Sequence, residues 1–95
     1  MKSKSHLLFF KGDGCPHCES MRVFCDRLER EYGHAIEEKE VWGDERNTRL
    51  YDNYRKEVSC DGLPLFVNTK TGVILCGEVS YHLLRRWAEG ANVIQ

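Results

Sequence analysis

A chain of 95 residues is long enough for one compact domain around one hydrophobic core and too short for two. With 41% hydrophobic and 31% charged residues it has the composition of a soluble globular protein, and no apolar run approaches the roughly 20 residues that span a bilayer, so no membrane partner is expected. The net charge of −1, with both signs mixed along the chain, leaves no basic footprint for a phosphate backbone, so no nucleic-acid partner is expected.

Lys2 and Lys4 precede an apolar stretch, Leu7 to Phe10, that is too short for a signal-peptide core and lacks a small-residue cleavage site. A cytoplasmic protein is the expectation. The five cysteines, at positions 15, 18, 25, 60 and 76, are odd in number and do not form the framework of a disulfide-stapled secreted domain. In a reducing compartment they point to catalysis, metal binding or core filling.

No repeat or low-complexity linker divides the sequence, so residues 1–95 read as a single domain. His6 to Lys11 is a nearly continuous apolar run, the pattern of a strand buried on both faces, and Gly12-Asp13-Gly14 turns the chain after it. From Pro16 to Tyr32 the apolar residues Met21, Phe24, Cys25, Leu28 and Tyr32 recur at helical spacing, which predicts an amphipathic helix ending near Gly33. Pro16 suits its first turn, where a missing N–H leaves no intrahelical bond unmade.

Ala35 to Trp42 is rich in Glu and reads as an edge strand that tolerates charge. Leu50, Tyr51, Tyr54 and Val58 predict a second helix over Asn47 to Val58, stopped by Ser59-Cys60-Asp61-Gly62. Leu65 to Val67 and Val73 to Cys76 are apolar runs joined by a Gly-containing connection, the pattern of a β-hairpin. Ser80 then caps a last helix, Tyr81 to Glu89, with Leu83, Leu84, Trp87 and Ala88 on its core face and Gly90 as its stop.

The order β-α-β-α-β-β-α predicts a four-stranded mixed sheet flanked by three helices. A strand–helix–strand crossover favours a parallel pair, so both crossovers are expected to join parallel strands, and the final hairpin antiparallel ones. This order, with Cys15-Pro16-His17-Cys18 after the first strand and Leu63-Pro64 before the third, resembles the thioredoxin superfamily in its minimal, glutaredoxin-like form. The resemblance spans nearly the whole chain. It implies an α/β thioredoxin fold and thiol–disulfide oxidoreductase activity.

A C-x-x-C pair between a strand and a helix also has its own chemical reading. A thiol at a helix N-terminus faces unsatisfied N–H groups and the positive end of the macrodipole, both of which favour thiolate, so Cys15 is the expected nucleophile. Cys18 lies about one turn further along, deeper against the protein, and is the expected resolving thiol that attacks a mixed disulfide on Cys15. His17 adds a hydrogen-bond donor and, when protonated, a positive charge, and so tunes the couple together with Pro16.

The Pro-His dipeptide is similar to that of strongly oxidising periplasmic disulfide-forming enzymes, whereas glutaredoxins usually carry Pro-Tyr and thioredoxins Gly-Pro. In a reducing cytosol even an oxidising pair stays mostly reduced, and the protein is expected to act as a reductase. The resemblance further implies a cis peptide at Leu63-Pro64, with the Leu63 backbone open to pair with an extended substrate segment. It implies glutathione contacts at Lys11 and Gly77. The glutaredoxin lysine, however, stands one position nearer the cysteine, and their Gly-Gly turn before a small residue and Asp is here Cys76-Gly77-Glu78-Val79-Ser80.

The expected partners are a disulfide-containing protein or small thiol substrate, and a thiol reductant such as glutathione or a reductase. No bound cofactor or metal is required, and a monomer is expected. The alternative is a zinc-binding or non-catalytic interaction module, with Cys15 and Cys18 completed by Cys60 and Cys76 or a histidine, although these lack the tight spacing of a zinc half-site. Otherwise Cys25 and Cys76 read as core fillers and Cys60 as structural or incidental. Tyr51, Tyr54 and Trp87 fit core faces, and Trp42 is either core or part of a recognition surface.

Overall fold

The computed structural model describes residues 5–95, so Lys2 and Lys4 lie outside the described residues. The elements run β1 (Leu7–Lys11), α1 (Pro16–Tyr32), β2 (Glu37–Glu40), α2 (Glu45–Glu57), β3 (Leu65–Asn68), β4 (Ile74–Cys76) and α3 (Tyr81–Ala88), the order the sequence predicts. Among the described residues no helix is long and apolar enough to cross a membrane.

The four strands lie in the order β2-β1-β3-β4. The central position of β1 explains its apolar run, because side chains on a strand alternate between faces and both faces here are covered. Leu7 and Phe9 point into a core built with Met21, Leu28, Leu84 and Trp87. Leu8 and Phe10 enter a second core with Val41, Leu65 and Val67, against which Leu50, Tyr51 and Tyr54 of α2 pack. Phe9 and Phe66 stack on neighbouring strands with ring centroids 5.0 Å apart. The Glu-rich β2 is an edge strand, and its four charged residues are half-buried, with Glu38 paired to Lys11 and Lys39 to Glu37.

The strand directions differ from the expectation. β1 and β2 are parallel, but β3 runs antiparallel to β1, so the second crossover does not join parallel strands. Val41, just after β2, and Leu63, just before β3, line the same cleft beside Cys15. The chain thus returns to the sheet at the end from which it left, and β3 must run the opposite way. Tyr32 and Val58 complete the predicted apolar stripes yet are 46% and 42% exposed, and Tyr32 instead accepts a hydrogen bond on its hydroxyl from Arg85.

Polar groups close the helix ends and the hairpin. Asp44 accepts from Asn47 N–H at 3.1 Å to start α2, and Ser80 accepts from Leu83 N–H at 3.1 Å to start α3. Gly33 ends α1 in the left-handed region at φ 74°. Asn68 is buried, and its amide is used on both sides: Nδ2 donates to Trp87 O at 3.0 Å while Oδ1 accepts from Lys70 and Thr71 N–H. One side chain ties the hairpin turn to α3.

Candidate active site

The site forms where β1 ends and α1 begins. Cys15 N–H donates to Gly12 O at 3.2 Å, which closes the turn after Lys11, and Gly14 takes the left-handed φ of 80° that a glycine adopts freely. Cys15 is the N-cap of α1: its Sγ accepts from Cys18 N–H at 3.3 Å, and Pro16 follows in the first turn. The amide that caps the helix is therefore also a donor to the sulfur, a partner that a thiolate uses more strongly than a thiol does.

The two cysteines differ in surroundings. Cys15 is 7% exposed and borders a cleft of about 350 Å³ that Val41, Trp42, Thr48, Tyr51, Gly62 and Leu63 help to line. Cys18 is 1% exposed and lies beneath it in the core with Met21. Burial pushes the Cys18 thiol up to about 12, and its hydrogen bond to Cys15 acts in the same direction. A protonated inner sulfur thus sits next to an outer one that reaches a cleft.

The peptide between Leu63 and Pro64 is cis, and Leu63 lines the cleft. Pro64 is buried and its carbonyl accepts from Gly77 N–H at 2.8 Å, which fastens the start of β3 to the residue after β4. Lys11, His17 and Gly77 do not line the cleft. Lys11 Nζ pairs with Glu38 Oε1 at 2.9 Å on β2, and His17 Nδ1 faces Glu78 Oε2 at 3.2 Å. Cys15 and Leu63 thus share the cleft, with Cys18 hydrogen-bonded to Cys15 and Pro64 buried next to Leu63 in sequence.

The reading of Cys76 as a core filler is corrected, and Cys60 is structural through a bond that was not expected. They are joined in a disulfide, with 1.98 Å between sulfurs and 5.9 Å between Cα atoms. Cys76 pairs with Leu65 across the β3–β4 ladder, and so comes beside the loop that carries Cys60. The four-cysteine set considered for zinc is therefore not assembled, because two of its members are bonded to each other. Cys25 is buried in the core, as its place on the α1 stripe predicts.

The disulfide anchors Asp61-Gly62-Leu63 at the edge of the cleft. Tyr51 Oη donates to Gly62 O at 2.6 Å, and Cys60 N–H donates to Arg55 O at 2.9 Å. Tyr51, expected as core, packs on the second core with one part and lines the cleft with another. Trp42 is 64% exposed and lies against Gly12, beside the cysteine turn. A large aromatic residue in the polar run Trp42-Gly43-Asp44-Glu45 was the available signal for a surface role.

No protein-family model matches this sequence, and no curated protein matches it. Among solved structures it is similar to the solution structure of an uncharacterized thioredoxin-like protein from Clostridium perfringens, with a TM-score of 0.71 at 18% identity over 95% of this chain and 75% of that one. The chain has a thioredoxin fold in a minimal form: a mixed four-stranded sheet with three helices in the order β-α-β-α-β-β-α.

Proposed function

We propose that this protein is a thiol–disulfide oxidoreductase working through Cys15 and Cys18. The observation that carries this reading is the capping geometry, with Cys15 Sγ at the α1 N-terminus accepting the Cys18 N–H at 3.3 Å on the wall of an open cleft. In the reducing direction the Cys15 thiolate attacks one sulfur of a substrate disulfide, forming a mixed disulfide and releasing the first substrate thiolate. Cys18 then gives up its proton and attacks Cys15 Sγ, so the second substrate thiolate leaves and a Cys15–Cys18 disulfide remains. Two electrons pass from the dithiol to the substrate.

The Leu63 backbone would align an extended substrate segment, and His17, held against Glu78, would tune the couple. In a cytosol poised by glutathione the pair would be mostly reduced and act as a reductase, recharged by glutathione or by a reductase. The Cys60–Cys76 disulfide favours a second direction, because such bonds persist mainly in oxidising compartments, where the same couple would pass its disulfide on to substrate thiols.

The test is equilibration of the protein against glutathione redox buffers, with the states of both cysteine pairs read by alkylation and mass spectrometry and zinc assayed in the same sample. A reversible two-electron Cys15–Cys18 couple is expected, and its potential selects the direction. Stoichiometric zinc with thiols inert until chelation would overturn the proposal in favour of a metal-binding module.

A further inference from the structure

The cleft beside Cys15 has an aromatic wall and an acidic edge. Trp42 presents a ring that is 64% exposed, although it is held against Gly12. Asp52 and Asp61 also line the cleft, and between them they have one guanidinium. Arg55 Nε bonds Asp52 Oδ1 at 2.8 Å, while its Nη1 is 3.8 Å from Asp61, whose side chain is 98% exposed. Asp61 thus keeps most of its charge facing water, in the loop that also carries Leu63.

The neighbouring recess shares Trp42 and repeats the balance, with Asp44 and Glu45 against Arg49. The two recesses are therefore lined by four carboxylates and one guanidinium, that of Arg49, with Arg55 as the only further cation paired to them among the described residues. An apolar ring next to uncompensated carboxylate suits one type of side chain: an aliphatic stem ending in a cation, which lies across the indole and ends at the acid.

Resting on the oxidoreductase reading, we infer that the cleft selects disulfides in protein segments with Arg or Lys beside the cysteine, Trp42 receiving the stem and Asp61 the charge. The same arrangement disfavours anionic disulfides. Glutathione disulfide, with more carboxylates than ammonium groups, is a poor match. Lys11, the cation that the family resemblance would offer it, is engaged by Glu38.

The test is single-turnover reaction of the reduced protein with two symmetric disulfide dimers of blocked tripeptides, Arg-Cys-Arg and Glu-Cys-Glu. Each rate is divided by the same peptide's rate with dithiothreitol, which removes intrinsic differences in disulfide reactivity. A normalised preference for the Arg peptide on the order of tenfold is expected, from one cation–π contact and one exposed ion pair. It should shrink with added salt and fall toward one in Asp61→Asn and in Trp42→Leu. Hydroxyethyl disulfide, which is uncharged, reports the chemistry alone. Its reaction with a peptide ratio near one, or a ratio untouched by both substitutions, overturns the specificity; no reaction with any disulfide overturns the oxidoreductase reading as well.

Discussion

The Trp42 ring covers Gly12 so closely that a Cβ added there would stand 2.4 Å from Trp42 Cδ2. No side chain larger than hydrogen fits beneath the indole where it lies. The contact joins the loop after β2 to the cysteine turn, and makes the cleft wall depend on a glycine three residues before Cys15.

Gly12→Ala should push the Trp42 ring off the turn and into water. The ring is already 64% exposed, so it can swing away at small cost to stability. A red shift of the Trp42 emission is expected, isolated from buried Trp87 by subtracting the spectrum of a Trp42→Phe protein. An unchanged Trp42 contribution would mean that the ring does not rest on Gly12 in solution.

The cysteine pair should divide its work unequally. Cys15→Ser should abolish exchange, whereas Cys18→Ser should leave a nucleophile without a resolving thiol and accumulate a mixed disulfide with substrate. Non-reducing mass spectrometry after mixing with an excess of disulfide reads this directly. Equal loss without a trapped adduct would assign the roles differently.

Burial of Cys18 has a pH consequence. Its folded value of about 12 lies above the free thiol's roughly 8.5, so the folded state holds this proton more tightly than the unfolded chain. Its contribution to stability is fully present below the unfolded value and is lost as pH rises through the folded one. In Cys15→Ser, alkylation of Cys18 should be slow near neutrality and quicken only toward strongly alkaline pH, measured site by site by mass spectrometry. Rapid labelling at neutral pH would contradict the burial.

Replacing both Cys60 and Cys76 by Ala removes a cross-link between residues separated by 16 in sequence. Loop-closure entropy puts its contribution at about 3 kcal/mol. Urea unfolding under non-reducing conditions should show a lower midpoint for the double variant, and dithiothreitol should bring the parent protein toward it. Coincident curves would show that the bond does not form in the folded protein.

Asn68→Ala leaves the Lys70 and Thr71 amides without their side-chain acceptor, and leaves the Trp87 carbonyl with the Gly90 N–H but without the Asn68 amide. A loss of about 1–3 kcal/mol is expected, since unpaired buried polar groups forfeit their solvation. Thermal unfolding followed by circular dichroism checks it. Asn68→Asp should cost at least as much, because it keeps the acceptor side but sets a buried carboxylate against the Trp87 carbonyl.

Local pattern carries the parts of this protein that depend on neighbours in sequence. The apolar run Leu7 to Phe10, the stripe through Met21, Cys25 and Leu28, and the caps at Ser80 and Gly33 state their own periodicity and turn chemistry, so seven elements could be placed in order. The C-x-x-C spacing alone puts Cys15 and Cys18 one helical turn apart. Tertiary structure decided what depends on distant residues: β3 antiparallel to β1, Cys60 bonded to Cys76, and Trp42 brought over Gly12 to wall a cleft with Asp61 and Leu63. The direction of a returning strand and the pairing of cysteines 16 apart follow from where loops close on the sheet, and hydrophobic periodicity holds no record of that.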